Sequence, residues 1–391
     1  MKLFNMEQEL LMTAKGYITA SEILQQPTLW QETVDIMEHN KAQIQDFLGT
    51  ALREQNLRII ITGAGTSAYV GDTVAPYLRR SLGLRVDSVA TTDLVANPKD
   101  YFEKDTPTIL ISCARSGNSP ESVATYNLAE QFVDELYQIV ITCNKEGDLA
   151  KNTGGNAKNL LVLMPELSND KGFAMTGSFS CMVLTLLVLF DLKNFTQNKV
   201  VIQELVDCGK RILVDEAGAM QKLVDYGCKR IAFLGSAVLK GLAEEAALKS
   251  LELSSGKVVT FSESVLGFRH GPKCIVDDHT IVFVFLSNQP YTRQYDIDIV
   301  KELYREKGNY KVVAISYGPD TTLAEMADYV FIVNKQGGTN REDAYAAMDY
   351  ILYAQMYALL NSLKMGITPD NPRPDGTVNR VVQGVNIYSY K

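Results

Sequence analysis

The chain has 391 residues, of which 46% are hydrophobic and 21% charged, the make-up of a soluble globular protein with room for two ordinary domains. With 38 basic against 46 acidic residues the net charge is -8, which argues against a nucleic-acid or anionic-membrane partner, because both require concentrated positive charge. Any anionic ligand must be held by local donors. No basic segment followed by an apolar stretch opens the chain, and the longest greasy run, Met182 to Phe190, is too short to span a bilayer and reads as a buried core helix. Six cysteines form no CxxC pair, and Cys113 and Cys143 end apolar strands, a pattern of reduced thiols that points to the cytosol. The three histidines, His39, His270 and His279, have no zinc-ligand spacing, so no metal is expected.

Residues 1 to about 50 read as a helical packing arm, with Pro27 as a break and Leu29, Trp30, Val34 and Met37 at helical spacing. A first α/β unit, 51–200, places apolar runs at 59–62, 86–90, 108–113, 138–143 and 160–164 between helices beginning near Ser67, Ser119 and Met175. A second, 201–368, places them near 231–234, 258–261, 281–286, 311–315 and 329–333, with a last helix near Glu342 to Leu363. Near-continuous apolar strands separated by helices imply a parallel sheet covered on both faces, the doubly wound, flavodoxin-like class. The tail, 369–391, has three prolines in its first six residues and then an apolar stretch, Val378 to Tyr388, expected to pack back over a site.

The second unit repeats the first. At an offset of 172 positions Arg58-Ile59-Ile60-Ile61-Thr62-Gly63 falls on Arg230-Ile231-Ala232-Phe233-Leu234-Gly235, and Thr108-Ile109-Leu110-Ile111 falls on Thr280-Ile281-Val282-Phe283. With the register drifting by one, Tyr137-Gln138-Ile139-Val140-Ile141-Thr142 then meets Tyr310-Lys311-Val312-Val313-Ala314-Ile315, and three apolar strands in the same order indicate a duplicated α/β unit. The copies differ after their strands. Copy one has Gly63-Ala64-Gly65-Thr66-Ser67 and Arg115-Ser116-Gly117-Asn118-Ser119, whereas copy two is expected to lack an equivalent pair.

Parallel sheets bind ligands at the carboxyl ends of their strands, glycine lets backbone approach closely, and free amides at a helix start attract negative charge. Ser116 and Ser119 bracket such a turn, with Pro120 at a first helical position, and Arg115 adds a fork of donors if it points inward. The alternative reading of these serines is plain N-capping. A second alternative, a dinucleotide fingerprint in Gly63 to Ala68, lacks an acidic residue closing the next strand, where Ala90-Thr91-Thr92 precede Asp93. In copy two, Glu245, Lys249 and Glu252 lie on one helix face, either as a solvated ion-pair ladder or as acid–base groups. Their neighbours Ala246, Ala247, Leu248 and Leu251 favour a helix packed on most sides, where a carboxylate is partly desolvated and suited to act as a general base. His270 precedes the tight Gly271-Pro272 turn and either caps it or moves protons.

Taken together, the Gly-Thr-Ser turn at 65–67, the Arg-Ser-Gly-Asn-Ser turn at 115–119, the Glu-x-Ala-Leu-Lys-x-x-Glu helix and the His-Gly-Pro loop resemble the sugar isomerase (SIS) superfamily. The duplicated layout is similar to the isomerase half of glucosamine-6-phosphate synthase. The stretches 62–68, 115–122, 267–273, 290–296 and 376–384 resemble the AgaS-type galactosamine-6-phosphate deaminase/isomerases, a group also called tagatose-6-phosphate ketose/aldose isomerases. The resemblance implies two tandem SIS domains, with Glu252 shuttling a proton between sugar carbons 1 and 2 and Lys249 and Glu245 supporting it. It implies that His270 opens the pyranose ring from a neighbouring subunit, hence at least a homodimer. It makes Ser67, Ser116 and Ser119 ligands of phosphate and sugar with Thr176 lining the same pocket, while the backbone amides near Gly65 or the Thr66 and Thr176 hydroxyls are candidates to stabilise an oxyanion at carbon 1. Two positions depart from the synthase pattern: Ala114 replaces a phosphate-loop serine, and Arg380 or Gln383 stands where the synthase has a C-terminal lysine.

The first cysteine is Cys113, so no glutaminase nucleophile is expected to supply ammonia. The activity implied by the resemblance is therefore degradative: D-galactosamine 6-phosphate and water give D-tagatose 6-phosphate and ammonia, without metal or organic cofactor. Two alternatives stand beside it, a ketose/aldose isomerase without deamination and a non-catalytic sugar-phosphate sensor that would need neither Glu252 nor His270.

Overall fold

A computed structural model describes residues 2–337, 341–382 and 384–390; Gln383 lies outside the described residues. A short hairpin pairs β1 (Lys2–Leu3) with β2 (Met6–Glu7) and leads into α1 (Gln8–Thr13), α2 (Tyr17–His39) and α3 (Lys41–Ala51). Pro27 does not break the arm as expected but sits inside α2. A proline removes the bond to the carbonyl four residues back, here that of Ile23, and the Gln26 side-chain amide donates to that same carbonyl at 3.2 Å. Gln26 is in turn fixed to Gln355 at 2.6 Å. A local substitute for the missing bond thus lets the helix continue.

The chain folds into two compact units. The N-terminal unit comprises residues 28–170, 175–202 and 375–391. Its strands β3 (Arg58–Thr62), β4 (Arg85–Ser88), β5 (Thr108–Ala114), β6 (Leu136–Thr142) and β7 (Asn159–Leu163) form one parallel sheet in the order β4-β3-β5-β6-β7. Arg58 faces Thr108 across the central pair, and Thr142 faces Leu163 at the edge. The β-branched residues of β3 and β5 are fully buried, as a strand covered on both faces requires. Helices α4 (Thr66–Leu82), α5 (Thr91–Ala96), α6 (Pro120–Phe132), α7 (Asp148–Asn152) and α8 (Gly177–Leu189) connect and cover the sheet. All thirteen residues of α8 are buried, which is why its run is apolar on every side.

After α9 (Phe195–Asp215) and α10 (Ala217–Asp225), the C-terminal unit repeats this plan. Strands β8 (Arg230–Leu234), β9 (Val259–Glu263), β10 (Thr280–Phe285), β11 (Lys311–Ser316) and β12 (Tyr329–Ile332) pair in the parallel order β12-β11-β10-β8-β9, the same topology as the first sheet. Helices α11 (Val238–Leu253), α12 (Pro290–Arg305) and α13 (Asp343–Lys364) complete it. Phe233 stacks on Phe283 at 4.9 Å within the sheet, and Phe285 stacks on Tyr350 at 5.9 Å, binding α13 to it. Each such ring contributes on the order of 2 kcal/mol when fully buried. In both units the first and third strands lie side by side while the second is at the edge, so the chain reverses its winding between β3 and β5, and again between β8 and β10. Such switch points open a crevice at the carboxyl ends of the strands. Among the described residues no single helix is long and apolar enough to cross a membrane.

Candidate active site

In the N-terminal unit both serine-bearing turns flank the switch point. The first runs from β3 into α4 through Gly65, whose φ of 56° and ψ of -127° lie outside the region open to side-chain-bearing residues without strain. A Cβ on Gly63 would stand 2.5 Å from the Ser67 carbonyl, so this close approach requires glycine. Thr66 and Ser67 follow at the start of α4 and are both buried. The second turn joins β5 to α6, with Gly117 at φ 67°. Ser119 occupies the N-cap position, yet its hydroxyl makes no capping bond; it pairs with the Ser122 hydroxyl at 2.6 Å. Ser116 is half-buried, and its hydroxyl accepts from the Asn118 amide at 3.3 Å. The loop after β6 braces the turn: the Asn144 side chain donates to the Ser116 carbonyl at 2.8 Å, and Asn118 accepts from the Asp148 amide at 2.8 Å. Hydroxyls and amides are thus gathered at the ends of two helices, an arrangement that attracts an anion without net protein charge.

Arg115 is buried, and one of its terminal nitrogens donates to the Arg380 carbonyl at 2.6 Å. The C-terminal tail therefore passes beside the second turn. The Arg380 guanidinium continues the link, donating from Nε to the Asp170 carbonyl at 2.9 Å. Sequence reasoning missed Asp170. Its carboxylate, wholly buried, accepts from the amides of Thr176, Gly177 and Ser178 and from the hydroxyls of Thr176 and Ser178, at 2.6 to 3.1 Å. It caps α8 from outside, so Thr176, also wholly buried, has its hydroxyl engaged at 3.1 Å.

Copy two has an equivalent of the first turn only. Ala237 repeats the backbone of Gly65 with φ 51° and ψ -117°, and Gly235 makes the same close approach as Gly63, its Cβ position falling 2.2 Å from the Leu239 carbonyl. What differs is the occupant. The wholly buried Asp296 of α12 accepts from the Ser236 hydroxyl at 2.6 Å and the Ser287 amide at 2.8 Å. Asp343, at the start of α13, accepts from the Ser287 hydroxyl at 2.5 Å and the Asn288 amide at 2.7 Å. In copy two the donors beside the switch point are engaged by the chain's own carboxylates.

Burial pushes the Asp296 carboxyl up to about 6, against the pull of the Ser236 and Ser287 donors, with Asp343 adding to the rise and Arg293 opposing it. For an acid raised on folding, the stabilising contribution is complete below the unfolded value near 3.8 and is lost as pH rises through about 6. Asp296→Asn, which does not titrate, is accordingly expected to gain roughly 1 kcal/mol on the parent between about pH 5 and pH 8. Urea midpoints of both proteins at the two pH values measure this, and a pH-independent difference would refute it.

In the C-terminal unit, α11 brings Glu245, Lys249 and Glu252 together. Lys249 and Glu245 are wholly buried, and the ammonium lies 3.4 Å from Glu245 Oε1 and 2.7 Å from Glu252 Oε2. This is a buried carboxylate–ammonium–carboxylate line, not a solvated ladder, because α11 is packed against α13 and β9. Burial alone would lower the Lys249 ammonium, but the two carboxylates outweigh it and hold the group above its ordinary value. Glu252 is the member that reaches the surface, its side chain 23% exposed. His270 lies in the same unit on an exposed segment between two short 3-10 turns, Gly267–Arg269 and Pro272–Ile275. Phe268, wholly buried, anchors that segment to the core.

The SIS domain model matches residues 51–191 and 226–363, one match in each α/β repeat. The D-galactosamine-6-phosphate deaminase AgaS of Escherichia coli O157:H7 is 43% identical over 379 residues, covering 97% of each chain. The protein of the same name from Shewanella sp. (strain ANA-3) is 40% identical and covers 96% of this chain and 92% of its own. Among crystal structures, tagatose-6-phosphate ketose/aldose isomerase from Escherichia coli superposes with a TM-score of 0.88 at 40% identity, over 96% of this chain and 97% of that one. A Clostridium novyi NT structure superposes with a TM-score of 0.97 at 46% identity over 100% of both chains. With both repeats matched and full-length relatives well above 30% identity, this chain belongs to the SIS domain family.

Proposed function

We propose that the protein is a deaminating isomerase that converts D-galactosamine 6-phosphate and water to D-tagatose 6-phosphate and ammonia. The observation that carries this reading is the buried Glu245–Lys249–Glu252 line ending in a part-exposed carboxylate, in a chain whose relatives over nearly full length are named for that deamination. Glu252 takes the proton from carbon 2 of the open-chain 2-amino aldose and returns one to carbon 1, giving a 2-imino ketose. Water adds to the imine carbon, the C–N bond breaks, and ammonia leaves with the ketose phosphate behind. The adjacent Lys249 ammonium holds Glu252 in place while the carboxylate changes charge. The exposed His270 is assigned the opening of the pyranose, delivered to the site of a second copy, which makes the working enzyme a homodimer or larger.

The N-terminal unit is assigned the phosphate, through Ser67, Ser116, Ser119 and the helix-start amides around them, with Arg115 and Thr176 as further members of that pocket and Thr66 beside carbon 1. Phosphate binding far from the reacting carbons serves to position them. Ser116→Ala with Ser119→Ala removes two hydroxyl donors, each worth on the order of 1 kcal/mol, so affinity for sugar 6-phosphates is expected to fall by roughly tenfold or more. Calorimetric titration reads this directly, and parental affinity in the double variant would leave the turn a mere helix start.

A plain ketose/aldose isomerase is the second reading, favoured by the name of the Escherichia coli structure. One experiment separates the two. Given galactosamine 6-phosphate, the protein is expected to release one ammonia per ketose formed. Efficient interconversion of galactose 6-phosphate and tagatose 6-phosphate, with the amino sugar untouched, would establish the isomerase instead.

A further inference from the structure

Both residues that flank His270 and carry charge are tied to one carboxylate. Arg269, immediately before it, donates from Nε to Glu302 Oε2 at 2.8 Å, and Lys273, three residues after it, donates to Glu302 Oε1 at 2.5 Å. Lys273 also reaches Glu306, one turn further along the same helix. Among the described residues every ion pair between the 264–275 segment and a neighbouring element ends on α12 or on its C-cap residue, Glu306. The segment itself has little else to hold its tip. Its backbone bonds are local, Phe268 to Ser264 and His270 to Gly267, and Gly271 takes a φ of 121° that only glycine adopts readily. Past the buried Phe268, His270 and Gly271 are exposed.

The helix that supplies Glu302 is anchored in the core. Ile299, Val300 and Leu303 are wholly buried, and Asp296, one and a half turns earlier, is bonded into the two turns at the sheet's switch point. A fixed helix thus presents one carboxylate to both sides of the histidine.

We propose that Glu302 is a positioning residue for ring opening: by clamping Arg269 and Lys273 it fixes the direction in which His270 is presented. The proposal rests on the assignment of His270 to ring opening. These ion pairs are part-exposed, with side chains 26 to 35% accessible for Arg269, Lys273 and Glu302, so their contribution to stability is small and their effect is geometric. A displacement of about 1 Å in an acid–base group costs up to about a hundredfold in rate.

Glu302→Gln keeps size but weakens both bonds, and is expected to lower kcat by about ten- to a hundredfold with KM within about twofold and an unchanged melting temperature. Glu302→Asp, which restores the charge, is expected to recover part of the loss. The discriminating measurement is a cycle with His270→Ala: in that background Glu302→Gln is expected to cause no further loss, because there is no histidine left to position. Arg269→Gln with Lys273→Gln opens the clamp from its other side and should reproduce the pattern, which covers the case of a Glu302 variant that fails to fold. Parental kcat in Glu302→Gln, or losses that multiply with that of His270→Ala, would overturn the proposal. If His270→Ala alone turns over at the parental rate, the ring-opening assignment falls and the clamp's role falls with it. Loss in His270→Ala combined with parental kcat in both clamp variants overturns only the clamp.

Discussion

Glu252→Gln is expected to lower turnover by about two to four powers of ten while leaving substrate affinity near the parental value. The substitution preserves size and a hydrogen bond to the Lys249 ammonium, which lies 2.7 Å from the carboxylate, and removes only the ability to take a proton. Glu252 is also the one member of its buried line that solvent reaches, so a carbon acid has access to it and not to Glu245. The sharpest readout is exchange of the carbon-2 proton with solvent deuterium, which reports proton abstraction apart from imine hydrolysis. Exchange at the parental rate in the variant would remove Glu252 from the mechanism, whatever happened to ammonia release.

The sheets were legible from the chain because each buried strand is a short β-branched run bounded by glycine or polar residues. Ile59 to Ile61 and Ile109 to Ile111 are paired centre strands for that reason. The serine turns were legible because a strand, a glycine and a hydroxyl at a helix start are neighbours in sequence. What could not be read is what arrives from a distance. Asp296 looks like one more surface acid on a polar helix, and only folding brings it to Ser236, sixty positions away. Asp170 is bonded to Arg380 across 210 positions, and nothing local marks Asp170. Pro27 is the converse case, a strong local signal overruled by the neighbouring Gln26 side chain that satisfies the carbonyl it orphans.

The duplication explains a division of labour. Both copies build the same first turn at the same switch point. In the C-terminal copy Asp296 and Asp343 satisfy the donors beside that point internally. An anionic ligand there would have to displace two buried carboxylates, whereas the N-terminal copy presents hydroxyls and amides.

Lys249→Met is expected to destabilise the fold by about 3 to 5 kcal/mol near pH 8, the cost of removing one partner from a buried ion network. Methionine fills the space of the aliphatic stem, so the loss is electrostatic and not a cavity. It strips the ammonium from beside the wholly buried Glu245 and the part-exposed Glu252. The pH dependence carries the proof. In the parent, the Lys249 ammonium is held above its ordinary value of 10.5, so its stabilising contribution is complete below 10.5 and is lost only as pH rises beyond that. Between about pH 5 and pH 9 parental stability therefore does not depend on this group. In the variant, a carboxylate deprived of the ammonium in an apolar setting is driven towards its neutral form. Its protonation on folding makes the variant recover stability as pH falls, so the deficit against the parent should shrink towards pH 5. Glu245→Gln added to Lys249→Met removes the second buried charge and should restore much of the lost stability at pH 8, since a neutral replacement of a whole buried pair is far milder than breaking it. Urea unfolding of the three proteins at the two pH values tests this. A Lys249→Met protein as stable as the parent at pH 8 would mean that the line of charges on α11 is not a buried network, and the case for Glu252 as its working end would lose its structural support.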